Sequence, residues 1–126
     1  MEIPSDLKYH DSHEWVKVEG GVATIGITDF AQAQLGDIVF VDLPEKGKTA
    51  AKGETVASIE SSKAVGELIM PVGGEIVDVN AKISDAPETI NSSPYGDGWI
   101  IKVKMSDAGE AAALLDAAKY KDIAKE

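Results

Sequence analysis

A lysine set midway between two copies of the same short strand opening constrains this chain more than any other feature. Residues 53–80 read GETVASIESSKAVGELIMPVGGEIVDVN. Thr55, Val56, Ala57 and Ile59 predict a strand before Lys63, and Val65, Leu68, Ile69 and Met70 predict one after it. Ser61 and Ser62 supply turn chemistry between them. The pattern G-E-x-V occurs at 53–56 and again at 74–77, so two similar strand units flank the turn. A hairpin tip projects its side chains away from the sheet. Lys63 is therefore expected in solvent, on a stiff support and within reach of visiting enzymes. An exposed turn lysine is ordinarily a solvated charge, so a functional reading must draw on the rest of the chain.

Composition removes several classes of function. With 126 residues the chain is expected to form one domain, 1–126, with a modest core and no room for separate substrate and cofactor lobes. There is no cysteine, which excludes disulfides, thiolate metal sites and a cysteine nucleophile. His10 and His13 are the two histidines, a poor supply for metal or general-base chemistry, and His13 reads as a structural residue at the surface or a strand edge. A formal net charge of -10 and a pI near 4.6 would repel phosphate backbones, so nucleic acid is not an expected partner. No apolar run reaches membrane-spanning length, and no membrane association is expected. All 12 basic residues are lysine, which argues against a retained arginine-rich transit segment. A bacterial cytoplasm or, for a processed eukaryotic chain, the mitochondrial matrix fits.

The coarse pattern is mainly β. Residues 14–18 and 22–27 predict a hairpin around Glu19-Gly20-Gly21. Thr28-Asp29 opens a short helix, with Asp29 and Gln32 spaced as a capping box and Gly36 just past the end. Strands are expected at 38–43, ending at Pro44, at 75–79 and at 99–103, with Trp15 and Trp99 as core anchors. Asp107 and Glu110 form a second capping-box pattern, opening an alanine-rich helix through Leu114, Leu115 and Ala118. The turn-rich NSSPYGDG at 91–98 reads as a structural loop, and Ser92 and Ser93 as turn serines. The expected architecture is a small antiparallel β-sandwich or flattened barrel with short peripheral helices and a C-terminal helix.

At Glu60-Ser61-Ser62-Lys63-Ala64 the chain resembles the lipoyl-bearing carrier domains, and most of all the H-protein family of the glycine cleavage system. YHDSHEWV at 9–16 is similar to that family's amino-terminal signature and ATIGITDFAQAQLGDIVFVDL at 23–43 to its next block. Residues 44–47, the lysine hairpin and INSSPYGDGWIIK at 90–102 then follow in family order. Ser62 stands where many family members carry Val, and Gly66 near where they carry Ala or Ser.

The resemblance implies a lipoyl/biotinyl-carrier-like hybrid fold, lipoate in amide linkage to Lys63, and a shuttle that catalyses nothing itself. Its partners would be the pyridoxal-phosphate glycine decarboxylase (P-protein), the tetrahydrofolate-dependent aminomethyltransferase (T-protein) and dihydrolipoyl dehydrogenase (L-protein). A lipoate ligase or lipoyl transferase would install the group. The chain would carry the methylamine group of glycine from the first enzyme to the second and be reoxidised by the third, as a monomer when free. A further role in relaying lipoyl groups to other carriers is compatible with the same chemistry. Because a charged amine at the end of the arm decomposes in water, a resting place lined by Ser12, Glu14 and Glu67 is expected; carboxylates suit an ammonium and a hydroxyl can accept its hydrogen bond. The plain alternative makes Glu14 and Glu67 solvated strand-edge charges. The competing carriers fit less well: 2-oxoacid dehydrogenase lipoyl domains lack SHEWV and SSPYGDGW, and a biotinyl lysine commonly sits between methionines, whereas Ser62 and Ala64 flank Lys63. An unmodified interaction module is the remaining class.

Overall fold

The computed structural model describes residues 2–124. In chain order the elements are β1 (Lys8–Tyr9), β2 (Glu14–Glu19), β3 (Val22–Ile27), α1 (Asp29–Leu35), β4 (Ile38–Asp42), β5 (Thr49–Ala50), β6 (Thr55–Ser61) and β7 (Val65–Ile69). They continue as β8 (Gly74–Val79), α2 (Lys82–Asp85), α3 (Thr89–Ser92), β9 (Ile101–Met105), α4 (Ala108–Ala112) and α5 (Ala117–Ile123). Six strands form one antiparallel sheet in the order β1-β2-β3-β9-β8-β5, and β4-β6-β7 form a second. The two sheets face each other as a sandwich, and neither closes into a barrel. Between them lies an aliphatic core to which Ile25, Ile76, Ile101 and Val103 contribute from the larger sheet and Ile38, Val41, Ile59 and Leu68 from the smaller. Alternation of apolar and polar residues along each strand places these side chains on the inner faces.

The first hairpin forms as its pattern predicts, with Glu19 opposite Val22 and Trp15 opposite Gly26. Gly26 is required there, because a Cβ at that position would lie 2.7 Å from Trp15 Nε1. The indole crosses the space this leaves and donates its N–H to Pro94 O at 2.8 Å. Helix α1 is capped by Thr28, whose hydroxyl accepts from Ala31 N–H at 3.2 Å. Asp29 and Gln32 do not form the expected reciprocal box; Gln32 Nε2 donates to Asp29 Oδ1 at 2.7 Å, and the cap falls one residue earlier.

The expected alanine-rich helix is broken in two. Leu115 is not helical: its N–H donates to Tyr9 O and its carbonyl accepts from Tyr9 N–H, both at 2.8 Å. Pairing with the amino-terminal strand takes the backbone groups that a continuous helix would need, and Asp116 caps a new helix through Lys119 N–H at 2.9 Å. Glu110 likewise turns away from the cap at Asp107 and accepts from Gly73 N–H at 2.8 Å. The carboxy-terminal residues 125–126 lie outside the described residues. The last strand begins at Ile101 and not at Trp99, because Trp99 O is taken by Asn80 Nδ2 at 2.7 Å. Trp99 is partly buried, with Lys102 Nζ 5.0 Å from the centre of its ring.

A second cluster joins the two ends of the chain. Tyr9 and Tyr120 stack with ring centres 4.7 Å apart, among Leu7, Trp15 and Ala124. The Tyr120 hydroxyl is 2.6 Å from Thr28 Oγ1 and 2.8 Å from His13 Nδ1, so α5 pins both the start of α1 and the turn before β2. Tyr120→Phe keeps the stack and removes those two bonds; urea unfolding is expected to show a loss of about 1 to 3 kcal/mol, the usual cost of unpairing buried polar groups.

Candidate functional site

Lys63 stands in the turn between β6 and β7, and its own neighbours hold that turn closed. Ser61 N–H donates to Ala64 O at 2.8 Å, and Ser61 Oγ accepts from Ala64 N–H at 2.9 Å and lies 3.3 Å from Lys63 N. Ser62 N–H donates to Asp37 O at 3.1 Å, tying the tip to the connection between α1 and β4. That connection is fixed in turn by Asn91. Its Oδ1 accepts from Ile38 N–H at 2.9 Å, and its Nδ2 donates to Gln32 Oε1 at 2.8 Å and to Gly36 O at 2.9 Å. One carboxamide thus satisfies the end of a helix and the start of a strand.

Gly36 is needed twice over. It ends α1 in the left-handed region at φ 84, and a Cβ there would come within 3.1 Å of Lys63 Cε. The aliphatic stem of Lys63 therefore lies along bare backbone. Lys63 is exposed, and among the described residues it forms no ion pair. The arrangement offers an accessible amine on a rooted stem, which suits acylation by a second protein.

Beside the turn runs a groove of about 330 Å³, walled by Ile27, Phe30, Leu35 and Ile59 and edged by Ser12 and Glu67. Of the three residues expected around a resting arm, Ser12 and Glu67 line this groove and Glu14 lies behind Ser12. Glu14 has no exposed surface, so it is not a solvated strand-edge charge. Its Oε1 accepts from Ser12 Oγ, and its Oε2 accepts from Ile69 N–H at 3.1 Å, reaching from β2 to the edge strand β7 of the other sheet. Burial pushes its carboxyl up to about 7 against the opposing pull of the Ser12 and Ile69 bonds. Glu67, on β7, is exposed. Gly66 also lines the groove, and a Cβ there would meet Leu35 Cδ2 at 3.1 Å, so the small residue keeps the groove wide.

His13 sits half-buried in the turn before β2 at φ 72, its ring 4.9 Å from Phe30 and bonded to Tyr120, a structural placement. His10 Nδ1 lies 2.6 Å from Ser12 Oγ. Among the described residues no cluster of three or more metal-binding side chains occurs. Asn91 and Tyr120 escape a sequence reading because their partners lie 53 to 107 residues away. Asn91 offered a faint signal, an amide in a turn-rich stretch; Tyr120 offered none beyond being an aromatic in an alanine-rich helix.

Comparison with known proteins places the chain as a whole. The family described as "Glycine cleavage H-protein" matches residues 7–126. The chain is 55% identical over 126 residues to the glycine cleavage system H protein of Brevibacillus brevis, covering 100% of both. It is 51% identical over 126 residues to that of Anaeromyxobacter sp. (strain K), covering 100% of this chain and 98% of the other. The crystal structure of a glycine cleavage system H protein from Mycobacterium marinum superposes with a TM-score of 0.88 at 41% identity, over 95% of this chain and 97% of that one. The chain belongs to the glycine cleavage H-protein family.

Proposed function

We propose that this chain, as a single domain, is the lipoyl-bearing shuttle of a glycine cleavage system, with Lys63 as the attachment point and the groove edged by Ser12 and Glu67 as the resting place of the loaded arm. The observation that carries this reading is the placement of one exposed, rooted lysine beside an apolar groove that ends in carboxyl and hydroxyl groups. The residues fit the group. Lys63 supplies an amine for an amide bond, the Ile27, Phe30, Leu35 and Ile59 walls suit a hydrocarbon arm, and the Ser12 end suits a charged cargo. When bound, lipoate supplies the disulfide and dithiol chemistry that a chain without cysteine lacks.

The protein's own residues then position and shelter. A lysine ammonium is a poor nucleophile near neutral pH, so attachment needs an activated acyl donor and a separate enzyme, a lipoate ligase or lipoyl transferase. The groove walls exclude water from the cargo. Ser12 Oγ and Glu67, which line the groove, would hold the ammonium, and Glu14 would act from behind Ser12. Partly exposed charge contacts contribute roughly 0.2 to 1 kcal/mol each, which lets the arm dock and still leave. The glycine decarboxylase would load the methylamine group, the aminomethyltransferase would take its carbon, and dihydrolipoyl dehydrogenase would reset the disulfide. The bacterial relatives support a cytoplasmic setting.

Lys63→Arg keeps the charge and removes the attachment point. Intact mass after incubation with a lipoate ligase, ATP and lipoate is expected to show one adduct on the native chain and none on the variant; an adduct at another lysine would overturn the assignment. Glu14→Gln and Glu67→Gln are expected to leave the adduct intact while speeding loss of methylamine from the loaded protein by about two- to tenfold, since about 1.4 kcal/mol corresponds to tenfold. An unchanged rate would remove the docking role.

Glu14 also sets a pH dependence of folding. Its carboxyl loses its proton near 4.5 in an unfolded chain and at about 7 in the folded one. The folded state therefore holds the proton more tightly, and this contribution to stability is full below 4.5, declines as pH rises through that window and is gone above about 7. Urea midpoints are expected to fall across this window in the native chain, with a slope of at most about 1.4 kcal/mol per pH unit from this group. The Glu14→Gln variant should lose that slope.

A further inference from the structure

Glu14 has no surface through which a proton could reach water directly. Its two hydrogen-bond partners are the Ser12 hydroxyl and the Ile69 amide, and an amide N–H does not pass protons on. Ser12 Oγ, on its other side, is 2.6 Å from His10 Nδ1, which also lies 3.2 Å from Ser12 N. The His10 ring is partly exposed and lines a separate groove of about 280 Å³ together with Asp11, Lys52 and Leu115. Its Nε2 forms no hydrogen bond to any described residue. The three side chains thus form a relay from one groove to a buried carboxyl, bent at the Ser12 hydroxyl so that His10 Nδ1 also comes within 3.7 Å of Glu14 Oε1.

This line can be filled with protons in two complete ways. With Glu14 protonated, its O–H donates to Ser12 Oγ, the Ser12 O–H donates to His10 Nδ1, and the neutral imidazole carries its proton on Nε2. With Glu14 ionised, the Ser12 O–H donates to the carboxylate, and the imidazole carries its proton on Nδ1 and donates to Ser12 Oγ. The two differ beside the line: Ser12 N–H finds Nδ1 as an acceptor only in the first, and Asp11 Oδ1, 3.1 Å from Nδ1, finds a donor there only in the second. Along the line itself, a mixture of the two places two donors or two bare lone pairs face to face.

We propose that Ser12 and His10 form the proton path of Glu14, with His10 as the gateway to solvent. In the outward step the Glu14 O–H bond breaks as a proton passes to Ser12 Oγ. The original Ser12 proton passes to His10 Nδ1, and the proton on Nε2 goes to water. One proton leaves, the imidazole ends neutral in its other tautomer, and no electrons are exchanged. His10 and Ser12 are positioning residues for the charge of Glu14. The charged groups facing the line are Asp11, 3.1 Å from His10 Nδ1, Lys52, which disfavours the imidazolium, and the Tyr120 hydroxyl, which senses the Glu14 charge. Burial pushes imidazolium formation at His10 below its ordinary range, so the ring stays neutral while Glu14 ionises. The value of the path to a carrier rests on the proposal that an ammonium cargo sits close to Glu14, because the site must gain a negative charge to hold a cation and lose it to let go. The path itself does not depend on that reading.

The test uses unmodified full-length protein, labelled with 15N and 13C and titrated by NMR. The His10 ring nitrogens are expected to switch from mainly Nε2–H to mainly Nδ1–H with the same midpoint as the Glu14 carboxyl carbon, near 7. Ser12→Ala should leave the carboxyl titrating and abolish the tautomer switch, Ser12→Thr should retain it, and Asp11→Asn should retain it with the His10 and Glu14 midpoints lowered together, since the Asp11 charge helps to raise the Glu14 carboxyl. A His10 tautomer that stays fixed while Glu14 ionises would overturn the proposal, as would a switch that survives Ser12→Ala or disappears in Asp11→Asn. A Glu14 carboxyl already ionised in the ordinary glutamate range would overturn it as well. A coupled titration together with an unchanged methylamine decay in Glu14→Gln would sustain the path and reject the docking role.

Discussion

The carboxylate of Glu14 sits where two separate sheets meet, and the geometry of the groove depends on it. No strand is shared between the β1-β2-β3-β9-β8-β5 sheet and the β4-β6-β7 sheet. Glu14 reaches across from β2 to take the Ile69 N–H, an outward-facing donor on an edge strand that has no further strand to pair with. Removing a charged carboxylate from water costs several kcal/mol unless it is well bonded or neutral. Two donors supply part of the compensation, and the raised proton affinity supplies the rest. An apolar residue here would pack with less penalty, but Ser12 and Ile69 would then lose their acceptor and the floor of the groove its polarity.

A second constraint acts at the tip. A side chain with the attachment role proposed for Lys63 works best if its root does not wander, since ordering a backbone residue at each encounter would cost about 1 to 2 kcal/mol. The turn obtains that order in advance from Ser61, which closes it, and from the Asp37 carbonyl, which anchors it. Asn91 holds the Gly36–Ile38 connection beneath, so the tip is braced by a residue from a distant loop.

What could be read from sequence follows how local the determining interaction is. The first hairpin, the strands around Lys63 and the short helix opening at Thr28-Asp29 depend on neighbours within a few positions, and each was legible as alternation or turn and capping chemistry, though the cap itself is Thr28 and not Asp29. The interrupted C-terminal helix was not, because alanine, leucine and lysine all favour helix and the interruption at Leu115 comes from backbone pairing with Tyr9, across the whole chain. The delayed start of β9 has a similar origin, the capture of Trp99 O by Asn80. Around the site, the lysine and the two groove-edge residues were legible from motif resemblance. The burial of Glu14 was not, because a polar-apolar pattern says which face a residue occupies and not that a second sheet will cover it. Asn91 and Tyr120 act at long range and carry no periodic signature.

The register of β4 against β6 slips between Ile38 and Phe40, so two successive residues, Val39 and Phe40, point outward at 57% and 50% exposure while Ile38 and Val41 stay in the core. β4 is also the edge of its sheet. A straight edge bearing Val and Phe would be a template on which a second copy could add its own strand. The slipped residue breaks the even spacing of amides and carbonyls along that edge and increases its twist. The same irregularity that brings oily side chains to the surface also denies them an orderly backbone to align on. The chain can therefore keep an adhesive face beside the Lys63 turn without offering a second copy an orderly edge to stack on.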